Sequence, residues 1–252
     1  MNPNQRTTDG LRPFLGQVAV VTGATGGIGQ AVAAKLLERG ATVCLVGRTA
    51  ESLEHLVNRL KWPADRVHCY AVDLDRDAAV MQFAADCGGR FPHIHVLVHS
   101  AGAIALDTVR RGQLGDFDRQ LQVNLRAPYL ITQALLPQII ACHGQIAFVN
   151  SSAGLQARRG VSQYAATKYG LRALADSLRE EVNEDGVRVL SIFLGRTASR
   201  MQEAVHQHER RPYQPERLLQ PDDVASVILH AFELPRTAEV TDVSIRPLLK
   251  SY

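Results

Sequence analysis

The sequence predicts an α/β protein: a three-layer, doubly wound parallel sheet of seven strands in a single domain. Three observations carry that expectation. Short apolar runs rich in β-branched residues recur along the chain, the mark of strands buried on both faces. Segments with apolar residues at helical spacing alternate with them, and that alternation builds a parallel sheet covered on both sides. The turn after the first strand is rich in glycine.

Residues 1–15 are polar, with Pro3, Gly10 and Pro13, and read as a flexible leader; 16–252 read as one domain. QVAVVT (17–22) is the first strand. Residues 27–39 are helical, with Ile28, Val32, Leu36 and Leu37 on one face and Gly40 as the stop. TVCLVG (42–47) and VHCYAV (67–72) follow as strands, separated by a helix at 51–60 that places Leu53, Leu56, Val57 and Leu60 on one side. VLVHS (96–100) and QIAFVN (145–150) are strands four and five, with a long helix at about 116–141 between them. A helix at about 162–183 leads to the sixth strand, 187–193, and a helix near 221–233 to the last, 239–245. No repeat or compositional shift marks a second domain.

Composition narrows the function. The 252 residues carry 28 Lys+Arg against 25 Asp+Glu, too balanced for a nucleic-acid footprint. Cys44, Cys69, Cys87 and Cys142 are scattered, as in a protein of the reducing cytoplasm. No apolar run reaches the ~18 residues of a membrane span, and the N-terminus lacks a signal-peptide core. Disordered, membrane, secreted and DNA-binding classes are disfavoured, leaving a globular enzyme that is not membrane-bound.

The glycine turn is T-G-A-T-G-G-I-G, Thr22 to Gly29, between the first strand and the first helix. Gly23 allows the sharp turn, while Gly27 and Gly29 remove side chains where backbone approaches a pyrophosphate and where helix meets strand. With Ile28, the turn and the helix N-terminus form a dinucleotide phosphate site, while the Thr25 hydroxyl could reach a 2′-phosphate. Cofactors with a free 2′-hydroxyl call for Asp or Glu at the end of strand two. Here Gly47-Arg48-Thr49 stands instead, which suits the 2′-phosphate of NADP(H). Asp73-Leu74, ending strand three, is placed for an adenine, though Asp73 could equally cap the next helix.

Tyr164 and Lys168, in Y-A-A-T-K, share one helix face at about 6 Å between Cβ atoms. A neighbouring ammonium lowers a phenol's pKa from ~10 and makes the pair an acid/base device. Ser151, thirteen residues earlier, ends strand five, where ligands bind in doubly wound sheets. Its hydroxyl is placed to hold a carbonyl oxygen; Ser152 is the alternative.

With these motifs in this order, residues 16–246 resemble the short-chain dehydrogenase/reductase family, whose members have a Rossmann fold. Thr22, Gly23, Gly27 and Gly29 meet its T-G-x-x-x-G-x-G, Tyr164 and Lys168 its Y-x-x-x-K, Ser151 its serine, and Asn124 its helix asparagine. The resemblance implies hydride transfer between a nicotinamide and a ketone or secondary alcohol. The tyrosine exchanges the proton, the lysine binds ribose and lowers the tyrosine pKa, the serine orients the substrate oxygen, and the asparagine backbone holds a water. Two segments depart from the pattern. N-N-A-G reads His99-Ser100-Ala101-Gly102, where backbone contacts to the adenosine ribose at Ser100 and Ala101 are expected to persist. P-G-x-x-x-T reads Leu194-Gly195-Arg196-Thr197-Ala198-Ser199, leaving Ser199, helped by Thr197, to meet the carboxamide.

The resemblance also places Arg158 and Arg159 in a loop lining the substrate pocket, where a guanidinium could face a substrate carboxylate or phosphate, with two solvated arginines as the competing explanation, and it makes residues 200–219 a substrate lid. It implies a homodimer or homotetramer built from the helices around Asn124 and Tyr164, whose extra apolar residues include Leu130, Ile131, Leu135, Leu136, Leu171, Leu174 and Leu178; burial in the chain's own sheet is the competing explanation. The pairs His93/His95 and His206/His208 lack the converging ligands a metal needs. A cofactor-binding sensor or scaffold without turnover is the alternative function, supported only by the His99 and Leu194 departures.

Overall fold

The computed structural model describes residues 12–249. Its strands are β1 (Val18–Thr22), β2 (Thr42–Gly47), β3 (Val67–Ala71), β4 (Val96–His99), β5 (Gln145–Ser151), β6 (Arg188–Leu194) and β7 (Asp242–Ile245). They form one sheet in the order β3-β2-β1-β4-β5-β6-β7, with every neighbouring pair parallel. The helices are α1 (Gly27–Glu38), α2 (Ala50–Leu60), α3 (Asp77–Arg90), α4 (Leu114–Leu121), α5 (Ala127–Ile140), α6 (Ser162–Val182), α7 (Arg200–His208) and α8 (Pro221–Glu233). This is the three-layer, single-domain Rossmann arrangement expected from the alternation.

Side chains alternate across each strand and divide the core in two. Val21, Val43, Leu45, Val98, Val149 and Ile192 pack with α1, α2 and α8 on one face. Val20, Cys44, Leu97, Ile146, Phe148 and Val189 pack with α3, α5 and α6 on the other. Ile131, Leu135, Leu171 and Leu178, read as candidate oligomer surface, are spent in this second core, so the sheet explains most of that apolar excess. The strand order reverses between β1 and β4, which opens a crevice beyond their C-terminal ends. Among the described residues no helix is long and apolar enough to cross a membrane.

Several elements differ from the sequence expectation. Helix α3 was not foreseen. Its Val80, Phe83, Ala84 and Cys87 form a buried stripe at helical spacing, obscured by Gly88 and Gly89 near its end. The single long helix at 116–141 is two helices joined by a π turn, Gln122–Arg126. The last strand is shorter than 239–245, because Glu239 leaves the ladder and its carboxylate accepts the Val189 N–H at 2.7 Å. Strands β3 and β7 are edges with alternating exposure and are not buried on both faces. The end of the expected leader is packed: Phe14 is buried, and its N–H donates to the Arg39 carbonyl at 3.1 Å. Residues 1–11 of that leader lie outside the described residues.

Candidate active site

The crevice begins with the glycine turn. Gly23 has φ +67°, and a Cβ there would lie 2.7 Å from the Ala101 Cα, so only glycine fits where the β1 and β4 ends cross. A Cβ on Gly29 would meet the Ser100 Oγ at 2.7 Å. The crossing is tied by the Thr22 Oγ1, which accepts the N–H groups of Ser100 (3.2 Å) and Ala101 (3.3 Å). Those two N–H groups are therefore spent within the chain, and only carbonyls remain there for a ribose. Helix α1 opens at Gly26 with no side-chain cap and no acidic residue in its first turn, which leaves its positive end open to an anion.

At the β2 end, Arg48 is exposed. Thr49 beside it is the N-cap of α2, accepting the Ser52 N–H at 3.3 Å. Thr25 lies against Gly47, where a Cβ would meet Leu53 at 3.0 Å, so the small residue keeps this corner clear. Asp73 is exposed; its carboxylate accepts the Asp75 N–H at 3.1 Å in a local turn and does not cap α3, whose N-cap is Arg76. Leu74 is buried beside it.

The segment after β6 folds over this crevice. A Cβ on Gly27 would lie 3.5 Å from the Ala198 carbonyl, and one on Gly102 would lie 3.7 Å from the Met201 Cε of α7. The Thr197 hydroxyl is buried and donates to the Gly195 carbonyl at 3.2 Å. The Ser199 hydroxyl donates to the Thr197 carbonyl at 3.1 Å and accepts the Gln202 N–H at 3.1 Å as the α7 N-cap. Thr197 is thus turned to its own backbone, and Ser199 keeps one acceptor lone pair for a carboxamide. His206 lies inside this segment, its Nδ1 2.8 Å from the Gln202 carbonyl. His95 likewise accepts the Val18 N–H at 3.1 Å. No group of three or more His, Cys, Asp or Glu converges among the described residues.

Beyond β5 stand the residues of the Tyr–Lys–Ser constellation. The Ser151 Oγ accepts the Ala153 N–H at 3.1 Å, which fixes the hydroxyl on a short 3₁₀ turn. Loss of hydration pushes the Tyr164 phenol up to about 12, and the Ser151 hydroxyl, within hydrogen-bonding reach, opposes that rise. Lys168 lies with Nζ 5.8 Å from the Tyr164 ring centroid and donates to the Val149 carbonyl at 3.0 Å. Burial lowers the Lys168 ammonium to about 8. The lowered tyrosine pKa expected from the sequence is therefore not what this arrangement produces: desolvation raises the phenol, and the Ser151 hydroxyl alone opposes it.

Asn124 is fully buried in the π turn. Its Oδ1 accepts the Ala103 N–H at 2.7 Å, and its Nδ2 donates to the Ala103 carbonyl (2.8 Å) and the Thr167 Oγ1 (3.0 Å). The Thr167 hydroxyl in turn donates to the Tyr164 carbonyl at 2.8 Å. Four residues after Asn124 comes Pro128, which has no N–H, so the Asn124 carbonyl lacks its usual helical donor. The proline was the sequence signal for this irregularity.

Further residues escaped the sequence reading. Asn150 is buried; its Oδ1 accepts the Ser151 N–H at 2.8 Å and its Nδ2 donates to the Lys168 carbonyl at 3.1 Å, joining β5 to α6. Gln120 and Gln163 form a second amide pair, at 3.2 Å. His99 is buried in the core, stacked on Phe148 and bonded to the Thr132 hydroxyl at 2.8 Å. Burial holds its imidazole down at about 3, so it stays neutral. Arg158 and Arg159 are exposed on the loop between Ser151 and Tyr164, and neither pairs with a carboxylate among the described residues.

The short chain dehydrogenase family model matches residues 17–210. The chain belongs to this family. An uncharacterised oxidoreductase of Staphylococcus epidermidis is 30% identical over 233 residues, covering 92% of this chain and 97% of that protein. Among solved structures, a metagenomic short-chain oxidoreductase in complex with NADP is 31% identical, with a TM-score of 0.80 and coverage of 94% and 99%. A short-chain dehydrogenase of Escherichia coli CFT073 complexed with NADPH is 25% identical, with a TM-score of 0.84 and coverage of 93% and 98%. An alcohol dehydrogenase of the archaeon Thermococcus sibiricus, at 24% identity and TM-score 0.83, shares the fold over 94% of this chain and 98% of its own.

Proposed function

We propose that this short-chain dehydrogenase interconverts a small-molecule ketone and a secondary alcohol with NADP(H). The observation that carries the proposal is the gathering of Tyr164 and the buried Lys168, its Nζ 5.8 Å from the Tyr164 ring, with Ser151 at the end of β5, next to a cradle that side chains would fill. The residues fit a dinucleotide: the α1 end is uncapped, Gly23, Gly27 and Gly29 keep the backbone bare, and Arg48 with Thr25 and Thr49 suits a 2′-phosphate. Relatives complexed with NADP or NADPH support that choice. When bound, the nicotinamide supplies a hydride to the carbonyl carbon or takes one from the carbinol.

The chain's own part follows from its geometry. In reduction the Ser151 hydroxyl donates to the substrate oxygen, and Tyr164 delivers its phenolic proton to the same oxygen. A phenol held at about 12 is fully protonated at neutral pH and ready as the acid. Below about pH 8 Lys168 is charged and binds ribose hydroxyls; it also returns a proton towards the phenol. The Asn124 carbonyl, whose i+4 partner is Pro128, holds the water that feeds this path. Asp73 and Leu74 would hold the adenine, the carbonyls of Ser100 and Ala101 with Gly102 its ribose, and Ser199 with the backbone of Thr197 the carboxamide.

Residues 200–219 act as the substrate lid, and Arg158 and Arg159 face an acidic group on the substrate. The chain works in the cytoplasm, consistent with four free cysteines, as a homodimer or homotetramer through α5 and α6, whose Tyr129 and Tyr169 remain 47% and 41% exposed. A sensor without turnover has no use for Ser151, Tyr164 and Lys168 gathered at one strand end. The test is NADPH consumption across ketones, aldehydes and 3-oxoacyl esters with the wild type and Tyr164→Phe. Loss of at least about 10²-fold in kcat with NADPH affinity intact is expected, as for removal of a general acid; a variant as fast as the wild type would overturn the assignment.

A further inference from the structure

An amide buried without partners is destabilising, so a buried glutamine shows what it holds. Gln120 is the one buried residue of α4, 1% exposed. Its Oε1 accepts the Ala105 N–H at 3.1 Å; its Nε2 donates to the Asp116 carbonyl at 3.0 Å and to the Gln163 Oε1 at 3.2 Å. The Gln163 Nε2 continues the chain to the Gln113 carbonyl at 3.0 Å, and a Cβ on Gly112 would come within 2.8 Å of that nitrogen. Two amides therefore grip the segment after β4 near both ends, at Ala105 and at Gln113. They fasten it to the residue that directly precedes Tyr164. Between those anchors Asp107 bridges Val161, so the segment also meets the loop that runs from Ser151 to Tyr164. Val109, at the tip, is 84% exposed.

We infer that Gln120 and Gln163 are positioning residues that set the distance between the 103–113 segment and Tyr164, and so the width of the carbonyl-substrate cleft. The inference rests on the assignment of Tyr164 and Ser151 to the reacting carbonyl. Neither amide touches the nicotinamide cradle. Their loss acts on substrate binding and leaves NADPH binding alone. The two halves of Gln120 are separable: Glu keeps the acceptor for Ala105 and loses both donors, whereas Met loses all three bonds at similar volume.

The experiment compares Gln120→Met, Gln120→Glu and Gln163→Glu with the wild type. Steady-state kinetics with the best ketone, NADPH affinity and hydrogen exchange at the Ala105 amide are measured on each. Gln120→Met is expected to raise KM for the ketone about tenfold and to speed Ala105 exchange by a similar factor, as lost neutral hydrogen bonds imply, with NADPH affinity within about twofold. Gln120→Glu keeps the Ala105 protection, and Gln163→Glu, which loses the donor to Gln113, raises KM while leaving Ala105 protected. KM unchanged in Gln120→Met despite fast Ala105 exchange overturns the inference, as does a parallel loss of NADPH affinity, the sign of general loosening. Should Gln120→Met fail to fold, Gln163→Glu decides: an unchanged KM for the ketone, or a parallel loss of NADPH affinity, overturns the inference. A wild type inactive on every carbonyl refutes the catalytic assignment instead, and slow Ala105 exchange in Gln120→Met then refutes the anchoring itself.

Discussion

Gly154 offers the sharpest test of how Ser151 is held against α6. A Cβ at this position would lie 2.7 Å from the Asn150 Oδ1, 2.8 Å from the Lys168 carbonyl oxygen and 3.1 Å from its carbon. Ordinary contact begins near 3.4 Å, so Gly154→Ala must force the 3₁₀ turn and α6 apart by about 0.6 Å, an overpacking that costs about 1–3 kcal/mol. The atoms pushed aside are those of the joint itself: Asn150 holds the Ser151 N–H with one end and the Lys168 carbonyl with the other. A displacement of that size between Ser151 on one side and Tyr164 with Lys168 on the other lowers kcat by roughly 10- to 100-fold, since misplacement near 1 Å can cost about 10²-fold. Urea unfolding measures the first effect and NADPH consumption with the best ketone the second. Gly89→Ala is the control, a helical glycine with open space around it, expected to gain about 0.5–1 kcal/mol. Wild-type stability and kcat in Gly154→Ala would refute the joint.

Two more predictions concern charge. His99 is neutral in the fold, held near 3 against an ordinary 6.5, so between those values the unfolded chain binds a proton that the folded chain does not. Stability therefore falls as pH drops from 6.5, by up to about 2 kcal/mol at pH 5 from this group; in His99→Gln the slope of unfolding free energy with pH should shrink by about one proton, and an unchanged slope would exclude His99 as the source. Arg48→Ala should weaken NADPH by about 10-fold or more and leave NADH little changed, as loss of a charge-assisted phosphate contact requires; equal weakening of both in titrations would remove the case for the 2′-phosphate.

Much of the site could be read from the chain because its signals are local. Gly23, Gly27 and Gly29 sit within seven residues, and Tyr164 and Lys168 within one helical turn. The irregular turn at Asn124 was within reach too, through Pro128, had the missing N–H been followed back four residues. Asn150, Gln120 and Gln163 were not legible. A glutamine on a polar helix such as α4 looks solvated until α6, some forty residues later in sequence, packs over it. The tyrosine's pKa was misread for a related reason: helical spacing gives the neighbouring ammonium, but the loss of water around both groups depends on how β5 and α6 close together.

The sequence by itself determined the layered parallel sheet, the order of its strands' chemistry and the identity of the residues at its C-terminal end. Hydrophobic period and glycine placement are backbone requirements, and they act over a few residues at a time. Tertiary structure alone decided which polar groups are already spent. The N–H groups of Ser100 and Ala101 go to Thr22, the Thr197 hydroxyl to Gly195, and Lys168 to Val149. It also decided that Phe14 belongs to the core and that His99 stays uncharged. The physical reason is common to all of these. Hydrogen-bond satisfaction and desolvation depend on the full set of neighbours in space, and those neighbours come from segments up to eighty residues apart.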